Sequence, residues 1–357
     1  MPARPKLRQD YLRAIELEMA YYASFARLLH GLRVATLFIG GGTPTLYDRQ
    51  ELSFLLRAIH HHFQISAEAE ISIEANPETI TAPKLELLRS LGVNRLSIGV
   101  QSFDDLLLSH IGRQHTAAQG LAAVQTAKDV GFTNVNLDLM FGLPGQTIQQ
   151  HRESLQQALA LGLEHLSVYG LQLEEGTHLE ELVSCGELQL PDDDEVAEMY
   201  LLTDQLLTAA GYRHYEVSNY ALEGKECRHH LDLWQNQEYI GLGAGAFSYI
   251  EQKRFANVSE VSKYCHQLID TGCPPLGVCE EISAADEVIE TLMLAFRTQS
   301  GLELSNFAAR HGFAFRERYG HIAQELLQEG LLLQEGDRLT VTLQGMLLNN
   351  RVTGAFI

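Results

Sequence analysis

Strand-length apolar runs at 34–39, 69–74, 95–100, 134–138 and 165–169 alternate with segments of helical periodicity at 49–63, 83–91, 104–111, 117–130 and 147–161. A chain patterned this way has few ways to fold. Strands separated by helices form right-handed βα units around a parallel sheet. The strand ends share a second feature. Leu37-Phe-Ile runs into Gly40-Gly-Gly-Thr43-Pro44, and the later strands run into Glu74-Ala-Asn-Pro77, Gln101-Ser-Phe103, Asp138-Leu-Met-Phe-Gly-Leu-Pro144 and Tyr169-Gly-Leu-Gln172. In α/β sheets ligands bind where strands give way to helices. Gly40–Thr43, Glu74, Gln101, Asp138 and Tyr169 are therefore expected to converge on one mouth. The first strand, Val34 to Ile39, reads as buried on both faces. Its closing glycines allow a sharp turn and a close approach of N–H groups to a ligand.

Ahead of that strand, Tyr11, Leu12, Ile15, Met19, Tyr22, Phe25, Leu28 and Leu29 recur at helical spacing, with Gly31 as a C-cap. The chain thus opens on a helix over 8–30, the second half of a βα unit. The expected fold is α/β: a partial (β/α)6 barrel missing its first strand, over residues 1–175. Residues 176–282 read as a barrel extension. Within it, Pro191-Asp-Asp-Asp-Glu195 caps a helix at 196–210, and short strands are expected at 214–220 and 239–249. Gly241, Gly243 and Gly245 permit close backbone approach there. From about Ser283 the pattern becomes helices at 285–298, 303–311 and 316–329, then a hairpin, 331–333 and 339–343, around Glu335-Gly-Asp337. Residues 283–357 therefore read as a helical, winged-helix-like domain for packing or for a partner.

A formal charge of −20 argues against a general nucleic-acid binder, which needs clustered Lys and Arg. The five cysteines (Cys185, Cys227, Cys265, Cys273, Cys279) are scattered and too few for a disulfide scaffold, which points to a reducing, cytoplasmic setting. Cys273 and Cys279 flank Pro274-Pro275 and read as loop cysteines. The basic N-terminus has no apolar core behind it and is not a signal peptide. No run approaches the ~18 apolar residues of a membrane span.

Taken in order, Gly40-Gly-Gly-Thr-Pro44, Ile73-Glu-Ala-Asn-Pro77, Asn94-Arg-Leu-Ser-Ile-Gly-Val-Gln-Ser-Phe103, Gly112-Arg-Gln-His115 and Asn136-Leu-Asp-Leu-Met-Phe-Gly-Leu-Pro144 resemble the radical S-adenosylmethionine (SAM) proteins related to oxygen-independent coproporphyrinogen III oxidase. The nearest branch is the HemW-type heme chaperones, and the resemblance runs through the C-terminal module. It implies that Gly41, Gly42 and Thr43 surround the methionyl amino group of S-adenosylmethionine. Glu74, Gln101, Arg113 and Asp138 would hold its carboxylate, ribose and neighbouring groups. An ammonium, a carboxylate and a diol call for separate acceptors, amides and a guanidinium, so the residue types agree. The alternative makes Glu74 and Arg113 a structural ion pair at the barrel mouth.

The family's [4Fe–4S] cluster is held by a Cys-x-x-x-Cys-x-x-Cys loop after the first barrel strand. That spacing is absent from this sequence. Because the helix at 8–30 corresponds to the family's first barrel helix, strand and cysteine loop would both fall ahead of Met1. The chain as it stands is not expected to cleave S-adenosylmethionine reductively. The branch's His-Asn-x-x-Tyr-Trp heme motif corresponds to His229-His-Leu-Asp-Leu-Trp234. His229 is then the heme-ligand candidate and His230 its understudy, with an ordinary surface His pair as the alternative. Phe247 stands where relatives often carry His. The resemblance implies a protein that binds heme and hands it to hemoproteins, membrane-bound ones included. The competing implication is a coproporphyrinogen III oxidase that decarboxylates propionates.

Overall fold

A computed structural model describes residues 5–28 and 33–357. Helix α1 (Pro5–Leu28) leads into β1 (Arg33–Ile39), α2 (Arg49–His62), β2 (Gln64–Ala75), α3 (Ala82–Ser90), β3 (Arg95–Gln101), α4 (Asp105–His110), α5 (Ala117–Asp129), β4 (Val135–Phe141), α6 (Ile148–Ala160) and β5 (His165–Gly170). Strands β1 to β5 pair in parallel in chain order. Gly31, the expected C-cap, and Leu29 lie outside the described residues, as do the side chains of Phe25 and Leu28. After α7 (His178–Ser184) and α8 (Asp193–Ala209), β6 (Arg213–Glu216) and β7 (Asn219–Ala221) join the far edge antiparallel. This completes a seven-stranded sheet of order β1-β2-β3-β4-β5-β7-β6. The sheet is the curled half-barrel that the alternating pattern predicts.

The period-2 alternation of the strands explains its two faces. Across the register, Ile73 lies beside Leu96 and Val135, and Ile98 beside Leu137 and Leu166. All are buried, on the face the helices cover. The opposite face carries Glu74, Ser97, Asn136 and His165 in one row and Gly99, Asp138 and Ser167 in the next. Helix α9 (Arg228–Trp234) lies across this polar face. The expectation that Val34–Ile39 is buried on both faces is corrected. Among the described residues β1 pairs with β2 alone, and its residues are exposed or half-buried. An apolar strand at a sheet edge has one flank open.

The acidic run at 192–195 caps α8 as expected: the Asp192 carboxylate accepts the Glu195 N–H, and Glu195 returns the bond. The expected strand at 214–220 is two strands separated by a turn. The one at 239–249 reduces to a Tyr239–Tyr249 bridge and the start of β8 (Phe247–Ile250). Strand β8, β9 (Lys253–Asn257) and β10 (Leu276–Glu281) form a second, antiparallel sheet, with α10 (Val261–Thr271) between β9 and β10. Cys279 therefore sits in a strand and not in a loop.

The C-terminal module runs α11 (Ala284–Ala295), β11 (Leu302–Glu303), α12 (Leu304–His311), α13 (Phe315–Gln328), β12 (Leu332–Glu335), β13 (Arg338–Val341), α14 (Leu343–Leu347) and α15 (Asn349–Gly354). This is the helix–strand–helix–helix–hairpin order of a winged helix. No helix among the described residues is long and apolar enough to cross a membrane.

Candidate functional site

The parallel strands deliver their C-terminal tips to one end of the sheet, and five of the seven residues singled out from the sequence make hydrogen bonds there that define the site. Gly40 is crowded: a Cβ on it would meet the Glu74 carboxyl and the Phe38 ring at 2.8 Å. Gly41, at φ +98°, turns its N–H onto Glu74 Oε2 at 3.2 Å, a conformation that favours glycine. Gly42 follows on the exposed turn. The Asn76 amide donates to the Thr43 hydroxyl at 3.0 Å, and Arg113 Nη1 donates to Asn76 Oδ1 at 3.2 Å. Gln101, the last residue of β3, is held at φ +68°. A left-handed backbone costs a residue bearing a Cβ on the order of 1 kcal/mol and persists only where the surroundings impose it. Gly99 makes room for the side chains at this tip, since a Cβ there would meet Gln101 Nε2 at 3.0 Å and Asn76 Oδ1 at 3.3 Å.

Asp138 is recessed behind this tier. Asn136 Nδ2 donates to it at 2.6 Å and Ser97 Oγ at 3.3 Å. Asn136 is itself fixed, because its Oδ1 lies 2.6 Å from His165 Nδ1 and accepts from Ser167 at 3.1 Å. Desolvation raises the Asp138 carboxyl above the ordinary carboxylate range despite these donors. Glu74 is pushed up to about 7, first by desolvation and then by the Asp138 charge, with the Gly41 N–H opposing. Among the described residues Arg113 makes no ion pair within 4 Å, so the alternative Glu74–Arg113 pair is not formed. Burial lowers the guanidinium's pKa, while Glu78 and Asp138 oppose the shift. The mouth therefore presents two carboxyls, two amides, a hydroxyl and an unpaired cation. Tyr169 joins the same wall, where burial first and the Asp138 charge second raise its phenol well above the usual range.

His229 is not part of this group. The buried Glu70 carboxylate accepts the N–H groups of Arg228 and His229 at 3.3 and 3.2 Å, which seats α9 against β2 four residues before Glu74. Along a strand that is roughly 13 Å from the tips. The His229 ring stacks on Phe38 with centroids 5.3 Å apart, and its Nδ1 meets Thr36 Oγ1 at 3.0 Å. The His230 ring lies tilted against the same Phe38 ring, with centroids 5.2 Å apart. Burial pulls both imidazoles down, His230 to about 4, so both are neutral at pH 7. These are half-buried, oriented rings and not a surface pair. Trp234 ends the same helix beneath the Arg297 guanidinium, 5.8 Å from the ring centroid.

Asn76, Glu70 and the Asn136–Ser97–Ser167 cradle were missed by sequence reasoning. A signal for the inward-facing members existed: Glu70-Ile-Ser-Ile-Glu74, Arg95-Leu-Ser-Ile-Gly99, Asn134-Val-Asn-Leu-Asp138 and His165-Leu-Ser-Val-Tyr169 alternate strictly. That alternation marks one polar face on four consecutive strands.

A radical SAM superfamily profile matches residues 8–158, and a HemN C-terminal domain profile matches 282–348. A Bacillus subtilis protein named heme chaperone HemW is 37% identical over 98% of this chain and 91% of its own length. One of the same name from Mycobacterium tuberculosis is 40% identical over 94% of this chain and 83% of its own. The chain belongs to the HemW family of the radical SAM superfamily. Among solved structures, coproporphyrinogen III oxidase (HemN) from Escherichia coli, a radical SAM enzyme, covers 99% of this chain and 84% of its own. It superposes with a TM-score of 0.84 at 25% identity. The HemN-like C-terminal domain is thus the winged-helix-like module expected from the helices and hairpin after Ser283. Membership of the radical SAM superfamily implies S-adenosylmethionine and a [4Fe–4S] cluster. The donors at the strand tips fit the first: acceptors for an ammonium and a diol, and a free guanidinium for a carboxylate. For a cluster, no three His, Cys, Asp or Glu side chains among the described residues are grouped to hold a metal. Cys227 and Cys265 are buried apart from the exposed Cys185, Cys273 and Cys279.

Proposed function

We propose that this chain is a heme chaperone that binds heme through α9 and passes it to hemoproteins, membrane-bound ones among them, from the cytoplasm. The observation that carries this reading is its near-full-length similarity to proteins bearing that name. Local geometry supports it. His229 is neutral, and the Thr36 contact at Nδ1 orients the ring and leaves Nε2 as the nitrogen for an axial bond. Titration with hemin should give a shifted Soret band. His229→Ala should abolish the shift, and His230→Ala should leave most of it. An unchanged Soret band in His229→Ala would remove His229 from the role.

At the strand tips, Gly41, Gly42, Thr43, Glu74, Gln101, Arg113 and Asp138 would hold S-adenosylmethionine. Bound with a cluster, that group supplies radical chemistry. The residues of this chain supply orientation: Glu74 toward an ammonium, Arg113 toward a carboxylate, Asp138 and Gln101 toward a diol. The five cysteines do not fit a cluster, and residues 1–357 as they stand would ligate none. Iron and sulfide reconstitution of this chain should therefore yield no broad charge-transfer absorption. The likeness to coproporphyrinogen III oxidase favours a second reading, oxidative decarboxylation of porphyrinogen propionates, which would need a cluster that these five cysteines do not hold and an external electron acceptor. Release of carbon dioxide from anaerobic coproporphyrinogen III would decide for it.

A further inference from the structure

Asn76 occupies the centre of the mouth, between Thr43 and Arg113. Arg113 can only donate, so the oxygen of the Asn76 amide must face the guanidinium, at 3.2 Å. The nitrogen then faces Thr43 and donates to its hydroxyl oxygen at 3.0 Å. Thr43 begins a short helical turn without a side-chain capping bond. Among the described residues its hydroxyl hydrogen has no acceptor. Arg113, tied at one nitrogen, keeps its remaining N–H groups without a carboxylate within 4 Å. One amide thus sets two donors facing outward, with their lines of approach fixed.

We propose that Asn76 is a positioning residue that fixes the polarity of the mouth. Its amide makes the Thr43 hydroxyl a donor and aligns the Arg113 guanidinium, so that the two together take the carboxylate of an amino-acid-bearing nucleoside. The proposal rests on the S-adenosylmethionine reading and sharpens it. Thr43 moves from the ammonium side of the ligand to the carboxylate side, leaving the ammonium to Glu74. Gly99 belongs to the same device, since a side chain there would press on the Asn76 oxygen.

The test compares two ligands by calorimetry on the full chain: S-adenosylmethionine, and decarboxylated S-adenosylmethionine, which keeps the nucleoside, the sulfonium and the ammonium and lacks only the carboxylate. A charge-assisted hydrogen bond lost from a pre-aligned pair corresponds to about tenfold in affinity. Asn76→Ala should weaken S-adenosylmethionine about tenfold and leave its decarboxylated form within about twofold. Asn76→Asp keeps an acceptor for Arg113 but turns the Thr43 hydroxyl inward, and should show the same selective loss. Thr43→Val should match it, and the Asn76→Ala/Thr43→Val pair should be no weaker than either alone. A purely structural Asn76 would weaken both ligands equally, or would add to Thr43→Val; either result overturns the proposal. If the unsubstituted chain binds neither ligand, the nucleoside reading falls and the proposal with it.

Discussion

Glu74 is where the residues of the mouth oppose one another most. Its carboxyl is desolvated, faces Asp138 and titrates near 7 in the fold, against an ordinary value near 4.5. A raised acid is stabilising in its protonated form. Its contribution is fully present below pH 4.5 and is lost as pH rises through 7. At pH 8 the ionised group costs stability, and an ammonium ligand is what would recover it. Glu74→Gln should therefore raise the melting temperature at pH 8 and leave it nearly unchanged at pH 5, as followed by calorimetry. The same substitution should flatten the rise in S-adenosylmethionine affinity expected between pH 6 and 8. A variant less stable at pH 8 than the parent would contradict this account. Residues of this kind were legible because each is a polar group in an apolar strand tip. Asn76 was not, since Asn before Pro reads as ordinary turn chemistry. Its role depends on Arg113, 37 residues away.

Helix α1 shows what a single buried charge does for an element. Its apolar stripe, Leu12, Ile15, Met19 and Tyr22, is buried, and that much follows from spacing. On the same helix Glu18 is fully buried, which the spacing does not foretell. Its carboxylate accepts from the Gly243 N–H at 2.8 Å, Asn257 Nδ2 at 2.6 Å and the Tyr264 hydroxyl at 2.6 Å. One side chain thus ties α1 to the 243–264 segment and to α10. Gly243, at φ +106°, is pressed so closely by the Tyr11 hydroxyl that a Cβ would lie 2.7 Å from it. Removing the acceptor strands three donors, so Glu18→Ala should cost about 3 kcal/mol or more in urea unfolding. Glu18→Gln, which keeps one acceptor oxygen, should cost about 1–2 kcal/mol. Equal losses would show that packing and not the hydrogen bonds holds the helix. The parallel strands and their helices were legible for the same reason as the α1 stripe, because local period and burial coincide. The exposed strand β10 and the orientation of α9 were not, being decided by partners distant in sequence such as Glu70 for α9 and β9 for β10.

At the scale of the molecule, the question is whether the C-terminal module is a separate body. Sequence patterning gives residues 283–357 their own helices and hairpin, as a separate domain would have. The contacts point the other way. The Val217 N–H donates to Arg297 O at 3.0 Å and the Gln299 N–H to Tyr215 O at 3.0 Å, with Glu216 and Thr298 bridged antiparallel between them. The module's 297–299 segment thereby extends the edge of the barrel sheet. Arg254 also grips Glu290 from the second sheet, with Nη2 to Oε2 at 2.9 Å. Backbone pairing of this kind makes the parts unfold together. Gly345 offers a lesion far from the barrel. A Cβ there would meet Leu331 O at 2.1 Å, a backbone atom that cannot step aside, so Gly345→Ala should cost about 1–3 kcal/mol. Trp234 is the chain's sole tryptophan and lies in α9, at the seam between the barrel face and the module's Arg297. If the molecule is one cooperative unit, Gly345→Ala lowers the midpoint seen by Trp234 fluorescence and by far-ultraviolet dichroism to the same extent, in one transition. A biphasic dichroism melt, with the later phase at the parental temperature, would mean that the module is an independent domain on a flexible tether. Any handover of heme would then have to be reconsidered as a motion of that domain.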